Sequence, residues 1–528
     1  MYRPRKSRLE RISWLISQQT EKQEQFNKNF GERHLALLEF FAVFVWGCIF
    51  VLIAASWSSP LFKDSYGYDS AWYSTVGRAI LSGYVPYKDL FDLKGPAFFF
   101  YEALGQLFIK GRHGVFLIQC ISAGASALLL HRIAKNYLSR SLSWVVLLLF
   151  YFPYIYLLWG GNTTEELFMP LNFAAIWMGL RFLGAEEAAD RASLRLDACL
   201  MGLFAGVFIY SKITSGAPLF AVILAVSIGL IWKKRLRELL ECALFFLLGI
   251  VLVSLPIFAY FIFRGALKDM IHCVFVLGLK RSTDYYISFS MEWERNLMIC
   301  PVSLLMAVLL GKYTAGDAKL KALRYLILIS APVIYLLLHL GSAYTYYFIT
   351  VLPLWGLDLI LVLRIFTGEF KALTGSRGGI AKFVGCILLM LLVMIFYFGP
   401  VRHKIIENIE LVLYETDSDY VKAARETFSL IPEWERDRLY NIESGFKFYE
   451  INRILPNNKY SVNIPYFLHL DDDARVEFME LLIKNSPKWI VTEGLDIIDI
   501  PEFQEYMFRN YTIVAENDYG LLYRRNER

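Results

Sequence analysis

The sequence is poor in cysteine and in cofactor motifs. Its seven cysteines all lie in or beside apolar segments, and none follows residue 401. No CxxC pair occurs, so the cysteines read as small core residues, with no disulfide framework and no thiolate metal site. A Walker A loop, a dinucleotide glycine fingerprint and an H-E-x-x-H helix are all missing. Nucleotide-sugar and ATP-driven mechanisms are therefore without support. Excess charge is missing as well. A formal net charge of +5 over 528 residues does not argue for a nucleic-acid partner. No cleavable signal peptide is expected, because about 35 polar, basic residues precede the first apolar run.

What is abundant is apolar and aromatic. Hydrophobic residues make up 56% of the chain and aromatic residues 16%, above the ordinary soluble level. The excess is gathered in long runs, which predicts a polytopic α-helical membrane protein with about eleven spans. The basic segment 1–35, with Arg3, Arg5, Lys6, Arg8 and Arg11, is expected in the cytoplasm by the positive-inside rule. Later clusters (Arg132, Lys135 and Arg140; Lys233 to Arg237; Lys312 to Arg324) alternate with polar outer turns, which predicts an external C-terminus. A membrane domain over 36–400 is expected, then a small extracytoplasmic α/β domain over 401–528. In that tail a helix is expected from Ser418 and another over Ala474–Asn485, with strands in KWIVTEG, YTIVAEND and YGLLYRR. Asp471 to Asp473 reads as a helix N-terminus rather than a calcium loop.

The most informative stretch lies in the outer loop 58–97, between the first two apolar runs. From Asp64 to Pro96 it reads DSYGYDSAWYSTVGRAILSGYVPYKDLFDLKGP. A plain helix connection needs only a handful of residues. Asp64 and Asp69 open this stretch, and Asp89, Asp92 and Lys94 close it. Tyr73, Val76 and Ile80 recur at helical spacing, which predicts an amphipathic helix along the membrane surface. Carboxylates from one end and a carboxylate–lysine pair from the other are expected to meet over one pocket, read as the active site. Phe98 to Ile109 is too short for a span and is expected to be interfacial or re-entrant.

This stretch resembles the first external loop of GT-C superfamily membrane glycosyltransferases, the glycosyltransferase family 39-type enzymes. These are related to protein O-mannosyltransferases and to the aminoarabinose transferase of lipid A. The family pattern D-x-x-x-Y-x-x-x-x-R falls on Asp69, Tyr73 and Arg78. Its continuation, G-x-x-P-Y-x-D followed by an acidic residue, Lys and Pro, falls on Gly83, Pro86, Tyr87, Asp89, Asp92, Lys94 and Pro96. Ser70 stands where many relatives carry a second acidic residue, and Gly95 lies where relatives often have prolines. The resemblance implies a GT-C-like fold and a polyprenyl-phosphate-linked sugar as donor, used in the membrane. The acceptor would be a glycan, a lipid or a protein. The resemblance names no cofactor, and a divalent cation stays an open alternative without a ligand set.

The chemistry follows from the leaving group. Phosphate departs as an anion, so the reaction needs a base for the acceptor hydroxyl and cations for the phosphate. Asp69 is the expected base, with direct displacement inverting the anomeric centre. Lys94, Arg78 and Lys212 are the expected phosphate contacts, although Lys212 reads more readily as an interfacial snorkelling lysine. Asp64, Asp92, Glu165 and Glu166 are supporting acids. The last two read either as a capping box in GGNTTEEL or as carboxylates in the outer cleft. Tyr346 and Tyr347 read as aromatic-belt residues from position alone, and as donor or acceptor contacts by resemblance. Basic residues in the second outer segment, including Lys268, Lys280 and Arg281, sit on the side that the positive-inside rule disfavours; anion binding would explain this, while for any single residue a solvated surface helix is the readier reading. The rival class is a non-catalytic lipid-linked sugar binder or transporter. Transporters usually carry ionisable groups and broken helices near mid-membrane, whereas here the ionisable groups concentrate in the loops.

Overall fold

The computed structural model describes residues 33–184, 191–284, 295–339, 344–368, 377–414, 418–443, 445–494 and 500–526. The basic stretch 1–32 and the aromatics Tyr285, Tyr286 and Trp293 lie outside the described residues.

Apolar length dictates the architecture. Among the described residues, nine helices are long and apolar enough to cross a membrane, and Met169–Leu183 and Arg295–Leu309 are shorter apolar helices. Together they occupy the positions of the expected spans. The first half of the chain runs through α1 (Arg33–Ala54), α2 (Tyr68–Leu81), α3 (Pro96–Phe108), α4 (Arg112–Lys135) and α5 (Arg140–Leu157). It continues through α6 (Thr164–Leu167), α7 (Met169–Leu183), α8 (Arg191–Ile209), α9 (Ala217–Trp232) and α10 (Leu236–Phe263). At 13 residues, α3 is too short to span, as its sequence suggests. The last span, Arg377–Tyr414, continues through Pro400. The boundary expected at residue 401 therefore falls inside a helix. Its 38 residues rise about 57 Å at 1.5 Å each, more than the hydrocarbon core requires. The polar sequence after residue 401 ends the apolar character but not the hydrogen-bonded helix.

The tail carries a four-stranded sheet in the order β1-β2-β4-β3. The strands are β1 (Leu439–Asn441), β2 (Trp489–Thr492), β3 (Tyr511–Asn517) and β4 (Gly520–Arg525). β1 pairs parallel to β2, with Tyr440 opposite Ile490. β2 and β3 flank β4 antiparallel, with Ile490 and Ile513 both opposite Tyr523. Three of these strands coincide with the expected ones; β1, at three residues, is too short for alternation to reveal. The acidic run caps the helix Asp472–Asn485, where the Asp471 side chain accepts from the Asp473 N–H.

The loop helix α2 differs from expectation in its surroundings. It is not laid open on a membrane surface, since Ser70 to Gly77 are all buried. The tail covers it. Arg78 donates to the Tyr449 carbonyl at 3.1 Å, and Phe91 N–H donates to the Lys459 carbonyl at 2.9 Å. One face of α2 thus turns to the membrane domain and the other to the tail.

Candidate active site

Local chain geometry places the first three groups. Asp69 lies in the first turn of α2, one turn before Tyr73, and residues four apart share a helix face. The Tyr73 hydroxyl donates to Asp69 Oδ2 at 2.8 Å. Asp69 does not cap the helix: Gly67 is the N-cap residue, and no side-chain cap bond is made. After α2 ends at Leu81, the chain turns at Gly83 (φ +96°) and folds back through Tyr87, a non-glycine residue at φ +71°. That conformation is costly for a bulky side chain. It is held by the Tyr87 N–H to the Leu90 carbonyl at 2.7 Å and by the Tyr87 hydroxyl on the Lys94 carbonyl. Asp92 completes the fold. One of its oxygens accepts from the Lys94 N–H and the other from Trp72 Nε1, each at 2.7 Å. Lys94 Nζ is thereby delivered 3.8 Å from Asp69 Oδ2 and 4.5 Å from the Tyr73 ring centroid.

A second pair approaches from the membrane domain. The turn between α5 and α6 runs through Trp159, Gly160, Gly161 and Asn162, all at positive φ. At Gly160 a Cβ would run into the Trp57 indole. The two glutamates that follow separate in role. Glu166 does the capping work: its N–H reaches Thr163 Oγ1, and its carboxylate accepts from the Asn162 N–H at 2.8 Å and from Gln119 Nε2 at 2.9 Å. Burial pushes the Glu166 carboxyl up to about 7, against the pull of those donors. Glu165 instead forms an ion pair with Lys212, whose ammonium lies over the Tyr347 ring. Burial pushes the Lys212 ammonium down to about 8, and the neighbouring Glu165 carboxylate opposes that shift.

Asp69, Lys94, Lys212 and Arg281 line one cavity of about 260 Å³, with Tyr346 and Tyr347 on its wall. The Tyr346 hydroxyl donates to Asp69 Oδ2 at 3.3 Å. The cavity thus holds one carboxylate that two tyrosines orient and three cations drawn from well-separated parts of the chain. Such a set can hold an anionic group beside a base. Glu165 does not line it and reaches it through Lys212 and through Thr164, whose hydroxyl donates to the Glu165 carboxylate at 2.9 Å.

Besides Glu165 and Glu166, three further expected site residues lie outside this cavity. Arg78 sits on the far side of α2 and pairs with Glu450 at 3.0 Å. Asp64 pairs with Arg425 at 3.4 Å, away from Asp69. Asp92 is buried behind Lys94, and that burial raises its pKa although the Lys94 charge opposes it. The expected meeting of two carboxylate groups over one pocket reduces to Asp69 with Lys94. Other lining residues carried no motif: Trp57, Trp159 and Tyr344, with Phe446 and Asn463 from the tail. Arg281 was visible only as a basic residue on the unexpected side. Among the described residues, no group of three or more His, Cys, Asp or Glu side chains is placed to hold a metal ion.

Residues 95–263 match the family model described as dolichyl-phosphate-mannose-protein mannosyltransferase. The match begins directly after Lys94, so Asp69 and α2 lie outside it. No curated protein sequence matches the chain. Among solved structures, the chain is similar to ArnT from Cupriavidus metallidurans bound to undecaprenyl phosphate. The TM-score is 0.58 at 12% identity, covering 92% of this chain and 97% of that one. Against the apo state of the same protein the TM-score is 0.56 at 13% identity, covering 92% and 98%. At such identity the likeness speaks for the fold. Residues 95–263 thus match that mannosyltransferase model, and over most of its length the chain folds as ArnT does.

Proposed function

We propose that the protein moves a sugar from a polyprenyl-phosphate donor to an extracytoplasmic acceptor by inverting displacement. One observation carries this reading: Asp69 and Lys94 stand 3.8 Å apart in a cavity that Lys212 and Arg281 also line. Asp69 takes the proton of the acceptor hydroxyl as it attacks the anomeric carbon. The bond to the donor phosphate breaks, and the departing phosphate meets Lys94, with Lys212 and Arg281 across the cavity. The solved ArnT structure bound to undecaprenyl phosphate supports a lipid phosphate as the leaving group. Positive-inside sorting supports a cytoplasmic N-terminus, with the Asp69 cavity and the tail together on the outer side.

The test is a one-sided assay with purified protein, polyprenyl-phosphate sugar and no ion gradient. Consumption of donor with release of polyprenyl phosphate is expected. Lys94→Ala should lose donor binding and turnover together, and Lys94→Arg should keep part of both. Donor that binds but is never consumed, with every acceptor class tried, would make the protein a binder or transporter instead.

A further inference from the structure

The far side of α2 faces another cavity, of about 680 Å³, between the outer loop, the α3–α4 turn and the tail. Lys63, Arg78, Lys110, Arg112, Arg425 and Arg453 line it. Among the described residues, two carboxylates line it with them, and both are engaged. Asp64 is paired with Arg425. Glu450 is paired with Arg78 and accepts from the Arg112 N–H at 2.8 Å and from Ser74 Oγ at 3.2 Å. The Arg112 guanidinium donates to the Ser65 carbonyl at 2.9 Å and to the Phe62 carbonyl and lies 5.0 Å from the Tyr66 ring centroid, so among the described residues its bonds go to neutral acceptors. Among the described residues, neither Lys110 nor Arg453 has a carboxylate partner. Cations so gathered favour an anion between them, and arginine favours a phosphate.

The rim identifies what the anion is attached to. Leu107, Phe108 and Ile109, directly before Lys110, are 64%, 69% and 46% exposed, and Leu61, just before Lys63, is 42% exposed. In a membrane protein such side chains face acyl chains, so the cationic cavity opens at the boundary between lipid and water. We propose that this cavity holds the phosphate headgroup of a membrane lipid other than the donor, with its acyl chains along the end of α3. The helix between the two cavities would then be gripped on one face by its catalytic contacts and on the other by lipid. This site stands apart from the transferase reading, because its lining shares no residue with the Asp69 cavity.

The experiment is calorimetric titration of the full-length protein in non-ionic detergent with dioctanoyl phosphatidylglycerol. Dioctanoyl phosphatidylcholine provides the same chains without net charge, and glycerol 3-phosphate provides the head without chains. Phosphatidylglycerol should bind at least about tenfold more tightly than either. Lys110→Gln with Arg453→Asn should abolish that preference. Asparagine is chosen because Arg453 has φ +54°, which asparagine tolerates. Thermal unfolding of the double variant should match the wild type, and its binding of polyprenyl phosphate should be unchanged. Equal binding of the two lipids, an unchanged preference in the double variant, or equally tight glycerol 3-phosphate would each overturn the proposal.

Discussion

The Asp69 carboxylate and the Lys94 ammonium stand 3.8 Å apart, and both lean on Tyr73, which donates to Asp69 at 2.8 Å and sets its ring 4.5 Å from Lys94 Nζ. A carboxylate held in this way keeps its orientation while its charge stays available to an incoming hydroxyl. In the proposed reaction, the same lysine that tempers that charge receives the departing phosphate.

Asp69→Asn isolates the base. The side chain makes no helix-cap bond, so expression and thermal stability should stay close to wild type. Asparagine cannot take the acceptor's proton, and turnover should fall by roughly 10²–10⁴-fold, the range for a positioned base. Polyprenyl-phosphate binding should survive. Tyr73→Phe should cost less, because Tyr346 still holds the carboxylate at 3.3 Å. An Asp69→Asn enzyme that turns over at the wild-type rate would place the base elsewhere.

The Lys212 ammonium, pushed down to about 8 by burial, gives a pH signature. In the proposed reaction the protonated ammonium adds a positive charge beside the leaving phosphate; above about pH 8 that charge is lost. A profile of kcat/KM, which reports the free enzyme, should therefore fall on its alkaline side with a midpoint near 8. Lys212→Arg keeps its charge throughout this range and should move the alkaline limb upward. A limb that stays in place in Lys212→Arg would assign the titration to another group.

These two residues also show what the sequence discloses. Asp69 and Lys94 could be paired from the loop pattern, because both lie within one short, self-folding segment. Arg78 lies outside the Asp69 cavity, and the reason is local. It follows Asp69 by nine positions, about two and a half helical turns at 3.6 residues each, which puts the two on opposite faces of α2. What sequence could not supply was its partner: Glu450 lies in the tail, as does Arg425, which takes Asp64. Long-range ion pairs leave no periodic trace. The same holds for Trp57, Trp159 and Phe446, whose place in the cavity wall depends on how α2 and the tail dock. The spans and β2 to β4 were legible because hydrophobic runs and alternation are local signals.

Arg78 accordingly predicts a stability effect. Its pair with Glu450 is largely shielded, with side-chain exposures of 12% and 5%. Arg78→Ala would strand a buried carboxylate and should cost about 3–5 kcal/mol in unfolding experiments. Adding Glu450→Gln should recover part of that loss, since the uncompensated charge is removed. Donor affinity per folded molecule should hold. A variant with full stability but weakened donor binding would return Arg78 to the phosphate.

The last prediction concerns Asp92, which acts on Lys94 from behind. Its two oxygens each receive one N–H, from the Lys94 backbone and from Trp72 Nε1, at 2.7 Å. Asparagine offers one acceptor and one donor, so in Asp92→Asn an amide N–H₂ must face an N–H in either rotamer. The mismatch should cost about 1–3 kcal/mol of stability, the usual penalty for an unsatisfied buried donor. It should also loosen the Lys94 backbone and raise KM for the donor more than it lowers kcat. Trp72→Phe removes one of the two competing N–H groups. In that background the new amide can turn its donor side toward the ring and its oxygen toward Lys94, and Asp92→Asn should do less harm. The cycle of single and double variants should show a coupling of about 0.5–3 kcal/mol in stability, as expected for groups in direct contact. A third variant separates positioning from folding. With Lys94→Ala in place, Asp92→Asn should leave donor binding where it is and still lower stability. Strictly additive effects of Asp92→Asn and Trp72→Phe would mean that the carboxylate does not bridge them, and Lys94 would have to be held by the strained Tyr87 turn alone.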